Sequence, residues 1–147
     1  MQRLLKSLTY STLLIISFSI KISAQDNVKK EIIGIWKPVR PYDIGAVIPD
    51  EAKQLISQAR EILLKTTFYF NADQKFTIES NNSDLSLKNG HWKLDPFSGE
   101  VIIQEWKNRK EDKPVFMSIR LLKRDAKLIF VIEEFFLAFE MSKIDQN

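Results

Sequence analysis

The residues that could do chemistry in this chain are few, and they are scattered rather than grouped. His91 is the only histidine, and its neighbours Gly90 and Trp92 supply no acid or base to act with it. Glu133 and Glu134 form a carboxylate pair in sequence, but adjacent residues of a strand point to opposite faces. Because acid–base catalysis needs its groups within reach of one substrate, we expect a surface histidine and no enzyme.

The chain also lacks the side-chain sets that other site chemistries require. It contains no cysteine, which excludes thiol catalysis, thiolate metal sites, disulfides and the lipid attachment of a bacterial lipoprotein. A single histidine without cysteine predicts no zinc site. A nucleophile elbow, a glycine-rich phosphate loop and a calcium loop are all missing from the sequence. The prediction is therefore no catalytic residue, no metal and no cofactor.

Two basic features could instead bind an anion. The run KNRK, residues 107–110, lies beside Trp106, a combination that could suggest nucleic acid. Glu111 and Asp112 follow at once, so the pattern favours a solvated hairpin tip. Arg120 lies on a strand otherwise rich in apolar residues. Pointing inward, it would hold a ligand carboxylate; pointing outward, it would be ordinary surface.

Residues 1–24 have the order of a secretory signal peptide. Arg3 and Lys6 precede an apolar run, and small residues at its end suit cleavage. The stretch between Lys6 and Lys21 is 14 residues long, whereas a membrane-spanning helix needs about 20 apolar residues. We therefore expect an exported protein, periplasmic or extracellular, with one mature domain over residues 25–147 and no stable membrane anchor after cleavage.

The charge balance changes once this signal is set aside. The full chain has 22 Lys and Arg against 19 Asp and Glu, and residues 1–24 carry three basic residues and no acidic one. The mature chain thus has no formal net charge. A strongly basic protein would suggest nucleic acid or an anionic membrane surface. Since the mature chain has no excess of positive charge, we expect no nucleic-acid partner.

One helix and a run of short strands must position these residues. Polar residues 25–30 predict loose chain, and residues 31–37 predict a first strand that Pro38 and Pro41 end. Asp50 to Lys65 has one apolar stripe at helical spacing, and from Thr66 onward the period changes to two. Further strands are predicted over residues 66–71, 75–80, 86–95, 100–106, 115–122, 126–133 and 135–142. The pattern predicts a mainly β fold, an eight-stranded up-and-down antiparallel barrel with one helix between strands 1 and 2.

The chain resembles the lipocalin-like domains of small exported bacterial proteins. The similarity is carried by GIWK (residues 34–37), FYFNADQKF (68–76), GHWKLD (90–95) and KLIFVIEE (127–134). The resemblance implies a calycin-type barrel in which Gly34 and Trp36 are structural residues that close the base of the barrel. The helix after the first strand is also similar to the lid of fatty-acid-binding proteins.

One departure separates the chain from classical lipocalins. Those proteins pack an arginine near the final strand against the first-strand tryptophan. No arginine follows Arg124 here, and Lys143 is the nearest cation at the end of the chain. The chain is therefore predicted to be a divergent relative of the classical lipocalins. Trp36 is predicted to be a structural core residue rather than a ligand-binding residue.

The resemblance implies non-enzymatic binding of a small apolar or amphipathic ligand in the barrel. The candidate ligand-binding residues are Tyr69, Trp92, Trp106, Phe116, Arg120 and Phe130. A small barrel can equally fill itself with such side chains. The alternative is a protein-interaction module, an envelope accessory subunit or an inhibitor, whose outer surface at the Pro38–Ile48 loop or the helix meets an envelope protein.

Overall fold

The computed structural model describes residues 26–112 and 115–144. The predicted secretory signal, residues 1–24, lies outside the described residues. Residues 26–32 form helix α1, so residues 26–30 are not loose chain and the first strand does not begin at residue 31. They belong to a compact unit separate from the one that begins at Ile33. Within the described ranges, no helix has the length and apolar character needed to cross a membrane.

The unit that begins at Ile33 is a closed antiparallel barrel. Each strand pairs with the next along the chain, and the last pairs with the first, so the sheet closes on itself. The strands are β1 (Gly34–Pro41), β2 (Thr67–Phe70), β3 (Lys75–Glu79), β4 (Leu87–Leu94), β5 (Val101–Glu105), β6 (Met117–Arg124), β7 (Lys127–Ile132) and β8 (Leu137–Ile144). This architecture confirms the predicted fold class, including the helix between β1 and β2.

The first strand corrects the prediction that its prolines would end it. β1 pairs with β2 only from Gly34 to Trp36, whereas its pairing with β8 continues to Pro41 through an irregularity between Pro38 and Arg40. Beyond Trp36 the strand therefore has a partner on one side only. A proline is tolerated there because its missing N–H costs no ladder bond on the open side.

Gly90 is required by the close approach of β3 and β4. A Cβ at this position would lie 2.8 Å from the Phe76 carbonyl oxygen and 2.9 Å from Leu87 Cδ2. The register between the two strands also shifts in this stretch, between Phe76 and Ile78. Any larger residue would push the strands apart, which explains the glycine of the GHW motif.

Helix α2 (Lys53–Leu63) follows a 3-10 turn over Asp50–Ala52 and buries Ile56, Ala59 and Leu63 on one face. It connects the end of β1 to the start of β2, which lie at the same end of the barrel. Its residues share surface cavities with the β7–β8 turn on one side and with the β3–β4 connection on the other. Those two connections are on opposite sides of an eight-strand ring, so α2 spans the barrel mouth as a lid.

The barrel interior is packed with aromatic rings. Phe130 on β7 lies 6.0 Å, between ring centroids, from both Phe68 and Phe70 on β2, across the ring of strands. Trp36 lies 5.8 Å from Phe130, and Trp92 lies 5.9 Å from Phe70. Edge-to-face contacts at such distances are the favourable arrangement for aromatic pairs. Rings from strands that are not sheet neighbours therefore touch inside the barrel.

A second apolar cluster lies outside the barrel. Strands β7 and β8 bury both of their faces, and the outward-facing Ile129, Val131 and Ala138 pack against Tyr42 and Ile44. The segment of residues 42–49, here called the strap, therefore crosses the outside of the wall before α2 begins.

Candidate functional site

The main candidate site is a cavity at the lid end, between the strap, α2 and the start of β8. Its volume is about 260 Å³, toward the small end of sites for small molecules. The lining is mostly apolar, with one cation and one carboxylate. It comprises Pro41, Tyr42, Asp43, Ile44, Ala46, Ile48, Arg60, Phe136, Leu137 and Ala138.

Arg60 is the cation of this lid-end cavity. It lies one position after the buried Ala59 of α2, and its Nε atom is buried without a hydrogen-bond partner among the described residues. A buried guanidinium N–H that donates to nothing loses its hydration without compensation. Arg60 therefore brings to the cavity wall a buried donor without a partner among the described residues, and a carboxylate is the acceptor that a guanidinium pairs with best.

One hydrogen bond joins the strap to the barrel wall, and a second stabilises a turn within the strap. Tyr42 N–H donates to the Ala138 carbonyl at 2.8 Å, which ties the strap to β8. Gly45 N–H donates to Asp43 Oδ1 at 2.8 Å, so that carboxylate is occupied in a turn of the backbone. Among the described residues, Asp43 forms no ion pair with Arg60.

Phe136 forms the rim of the cavity in an unusual backbone conformation. It follows a 3-10 turn, Glu133–Phe135, and adopts a left-handed conformation with φ 52°. Its side chain is 52% exposed although it is a large apolar group. A bulky residue with positive φ is an outlier, and such strain tends to occur at binding and switch sites. Phe136 is thus a functional candidate on two independent grounds.

The opposite end of the barrel, here called the base, contains Gly34 and Trp36 of the GIWK motif at the start of β1. Trp36 is buried, and Lys143 Nζ lies 5.3 Å from the centre of its ring. The two residues are register partners on β1 and β8, so Lys143 is the cation that packs over the first-strand tryptophan. Gly34 has φ 138°, and a Cβ there would collide with Lys143 Cε. The glycine therefore makes room for the cation above the tryptophan.

The residues predicted to bind a ligand are not brought together. Trp92 and Phe130 face the interior and are fully buried. Trp92 Nε1–H donates to the Asn71 carbonyl at 2.9 Å. Both side chains belong to the packed aromatic interior.

The other four predicted residues lie outside the interior. Tyr69 OH donates to Glu79 Oε2 at 2.8 Å on the outer surface, and Phe116 is half-buried just before β6. Trp106 is partly exposed after β5. Arg120 is exposed and pairs with Glu133 at 2.7 Å, so it takes the outward orientation and makes an ordinary surface ion pair.

His91 differs from the predicted surface histidine. It is on the outer face of β4, opposite in direction to Trp92, but it is only 8% exposed. Trp106 covers it, with ring centroids 5.6 Å apart and the rings nearly perpendicular. Burial lowers the pKa of His91, and the charges of Lys93 and Arg109 lower it further. The turn after β5 begins at Trp106 and folds back over the outer face of β4. The strand pattern alone does not predict that contact.

Arg60, Tyr42 and Phe136 are the site residues that the sequence pattern missed. Helical periodicity alone places Arg60 on the solvated face of α2, because it lies one position after the buried Ala59. The strap has no periodicity that would indicate which wall it crosses. The EEFF run around Phe136 gives a poor turn signal, although a short 3-10 turn forms there.

Within the described part of the chain, no group of three or more His, Asp and Glu side chains is placed to hold a metal ion. Comparison of the chain with models of protein families, with curated proteins and with solved structures found no match. The fold and the site geometry are therefore the basis for a functional proposal.

Proposed function

We propose that this chain is an exported, lipocalin-like, non-catalytic protein that binds a small amphipathic ligand carrying an anionic group at the lid end. The observation that carries the proposal is the buried Nε of Arg60 without a partner in a cavity lined mostly by apolar side chains. An apolar pocket with one fixed polar group is the usual form of a small-ligand site.

The packed interior favours a site at the mouth rather than deep in the barrel. Phe130 contacts rings on the opposite wall, so a ligand in the lumen would have to displace several aromatic contacts. The lid-end cavity needs no such rearrangement. A short alkyl chain would contact Ile44 and Ile48, while its carboxylate would accept hydrogen bonds from Arg60.

The lipocalin-like assignment is supported by the base of the barrel. Gly34, Trp36 and Lys143 together make the glycine, tryptophan and cation arrangement at the start of β1 and the end of β8. The calycin-like barrel itself, closed by β1 and β8, is the scaffold that such an assignment requires. Export rests on the secretory pattern of residues 1–24.

Binding of decanoate, followed by isothermal titration calorimetry, tests the proposal. Loss of a charge-assisted hydrogen bond costs about 1.5–3 kcal/mol, so we expect Arg60→Ala to weaken decanoate binding about tenfold or more. Decanol, which has the same chain without the charge, should bind the wild type and Arg60→Ala equally.

Lys53→Ala is the matched control, because it removes one positive charge from the same helix at an exposed position. It should leave decanoate binding unchanged. The proposal fails if the wild type binds no decanoate, or if Arg60→Ala and Lys53→Ala bind it alike.

A second candidate function is protein interaction, supported by exposed apolar side chains at the lid end. Val47 of the strap is 91% exposed and Leu55 of α2 is 66% exposed, close in the chain to the residues of the cavity. Exposed apolar groups of this size, when they cluster, mark contact sites. The partner would present an apolar surface to the strap and the lid.

The two candidates make different predictions for Leu55→Asp. Because Leu55 does not line the cavity, the substitution should leave decanoate binding unchanged. If the lid end docks a partner, the wild type should co-sediment with an envelope protein and Leu55→Asp should not. An unchanged sedimentation profile for both proteins would contradict the second function without affecting the first.

A further inference from the structure

A second surface feature lies on the barrel wall, away from the lid. Trp106 is the first residue of the 3-10 turn that follows β5, and 36% of its surface is exposed. Beside it is a cavity of about 170 Å³ on the outer surface of β3 and β4. Its polar and charged lining residues are Asn71, Lys75, Thr77, Lys88 and Asn89.

The indole ring of Trp106 is held in a fixed orientation. His91 packs against it in a perpendicular arrangement, and the Arg109 guanidinium carbon lies 4.7 Å from its centre. Arg109 Nη1 also donates to the Trp106 carbonyl at 2.8 Å, which fixes the guanidinium in turn. A ring positioned in advance loses little conformational entropy when a ligand binds.

The cavity has an unbalanced positive charge. Lys75 pairs with Asp73 at 2.8 Å, and Glu105 pairs with Lys107 at 2.6 Å. Lys88, in contrast, makes no ion pair with any carboxylate in the described part of the chain. Its ammonium group is therefore available to an anion.

The neutral polar groups fit hydroxyls better than they fit a phosphate. The side-chain amides of Asn71 and Asn89 can each donate and accept hydrogen bonds, as sugar hydroxyl groups require. Thr77 already donates its hydroxyl hydrogen to the Lys88 carbonyl at 3.3 Å. The exposed part of the Trp106 ring offers an apolar surface to the C–H groups of a sugar.

We infer that this wall is a saccharide-binding site that takes one sugar ring bearing a carboxylate, with Lys88 as the group that binds the carboxylate. Trp106 supplies apolar contact, and Asn71 and Asn89 bind the hydroxyls. The cavity has room for one ring, so a nucleotide, with base, ribose and phosphate, fits it less well. The inference does not depend on the lid-end site, which lies at the barrel mouth.

The test is a titration with D-glucuronate, D-glucose, acetate and AMP, followed by amide chemical shifts in NMR spectra. Single-ring ligands at open sites bind weakly, so we expect a Kd for glucuronate of about 1 mM. Glucose should bind about tenfold more weakly, because it lacks the charge that Lys88 binds. Acetate should not bind detectably, because it offers no ring to Trp106.

Lys88→Ala should weaken glucuronate binding about tenfold, whereas Lys37→Ala, which removes an exposed lysine of β1, should not change it. Trp106→Phe retains a ring over His91 and should weaken binding of both sugars. The inference is overturned if glucuronate shifts no resonance near Asn89, if Lys88→Ala binds it as the wild type does, or if AMP binds more tightly than glucuronate.

Discussion

At the base of the barrel, Lys143 lies over the ring of Trp36, whereas at the lid end Arg60 has a buried Nε without a partner in the described residues. Gly34 at the base makes room for its cation, while Phe136 at the lid end is strained and half exposed. The cation of the base is thus packed against an aromatic ring, whereas the lid end combines an unpartnered buried donor with a strained, half-exposed aromatic residue, as the proposed ligand site requires.

The comparison is tested most strongly by shortening one apolar side chain at each end. Trp36→Ala removes a buried indole from the base, and such changes cost about 3–5 kcal/mol. Ile44→Ala removes half-buried atoms of the strap and should cost about 1–2 kcal/mol. Urea unfolding of both variants measures the two losses. Equal losses would contradict the distinction between the two ends.

Phe136→Gly should make the protein more stable. Left-handed backbone costs a residue with a side chain roughly 1 kcal/mol, and glycine adopts it without that cost. We expect a gain of about 0.5–1 kcal/mol in the free energy of unfolding, together with weaker decanoate binding. Phe136→Ala, which removes the ring and keeps the strain, is the control and should show no gain. If Phe136→Gly is less stable than the wild type, the contacts of the Phe136 ring contribute more to stability than the backbone strain costs.

Lys143→Met should have a smaller effect at the base. Methionine keeps most of the apolar stem and removes the charge, so the loss is the attraction between ammonium and ring, about 0.5–1 kcal/mol. A double-mutant cycle with Trp36→Leu isolates that attraction. A coupling energy of zero would show that Lys143 covers Trp36 without stabilising it.

His91 lies in the barrel wall, at neither end. We expect it to make the stability of the protein depend on pH. Burial lowers its pKa from 6.5, so as pH falls below 6.5 the unfolded chain takes up a proton before the folded chain does. Stability should therefore decrease from pH 6.5 downward and be independent of His91 above it. Because the chain has one histidine, melting temperatures at pH 7.5 and 5.5 should differ less in His91→Gln than in the wild type. Identical pH dependence in both proteins would exclude this role.

The barrel could be predicted because its determinants are local. Alternation of apolar residues defines β2 and β3, whose observed bounds lie within a residue of those predicted, and the stripe of α2 has an unmistakable helical period. Each pattern is set by its own element facing one core. The same alternation places Trp92 and His91 on opposite faces of β4.

The candidate site could not be predicted because it depends on segments that cross the barrel. The strap packs on β7 and β8, about 90 residues later in the chain, and nothing in its sequence specifies that wall. The extension of β1 through Pro38 depends on which side of the strand is paired. The burial of His91 depends on the fold-back of the loop after β5. In each case the determining contact joins residues distant in sequence.

The pairing of β1 with β8 has a further consequence for how the chain folds. Ile35 is paired with Ile144, and the Arg40–Glu140 ion pair at 2.8 Å joins residues 100 positions apart. Until β8 is available, β1 has only three residue pairs with β2. Contacts of such long sequence separation form slowly, because the intervening chain must first lose its entropy. Closure of the barrel is therefore a late step, and until it occurs β1 has one long unpaired edge.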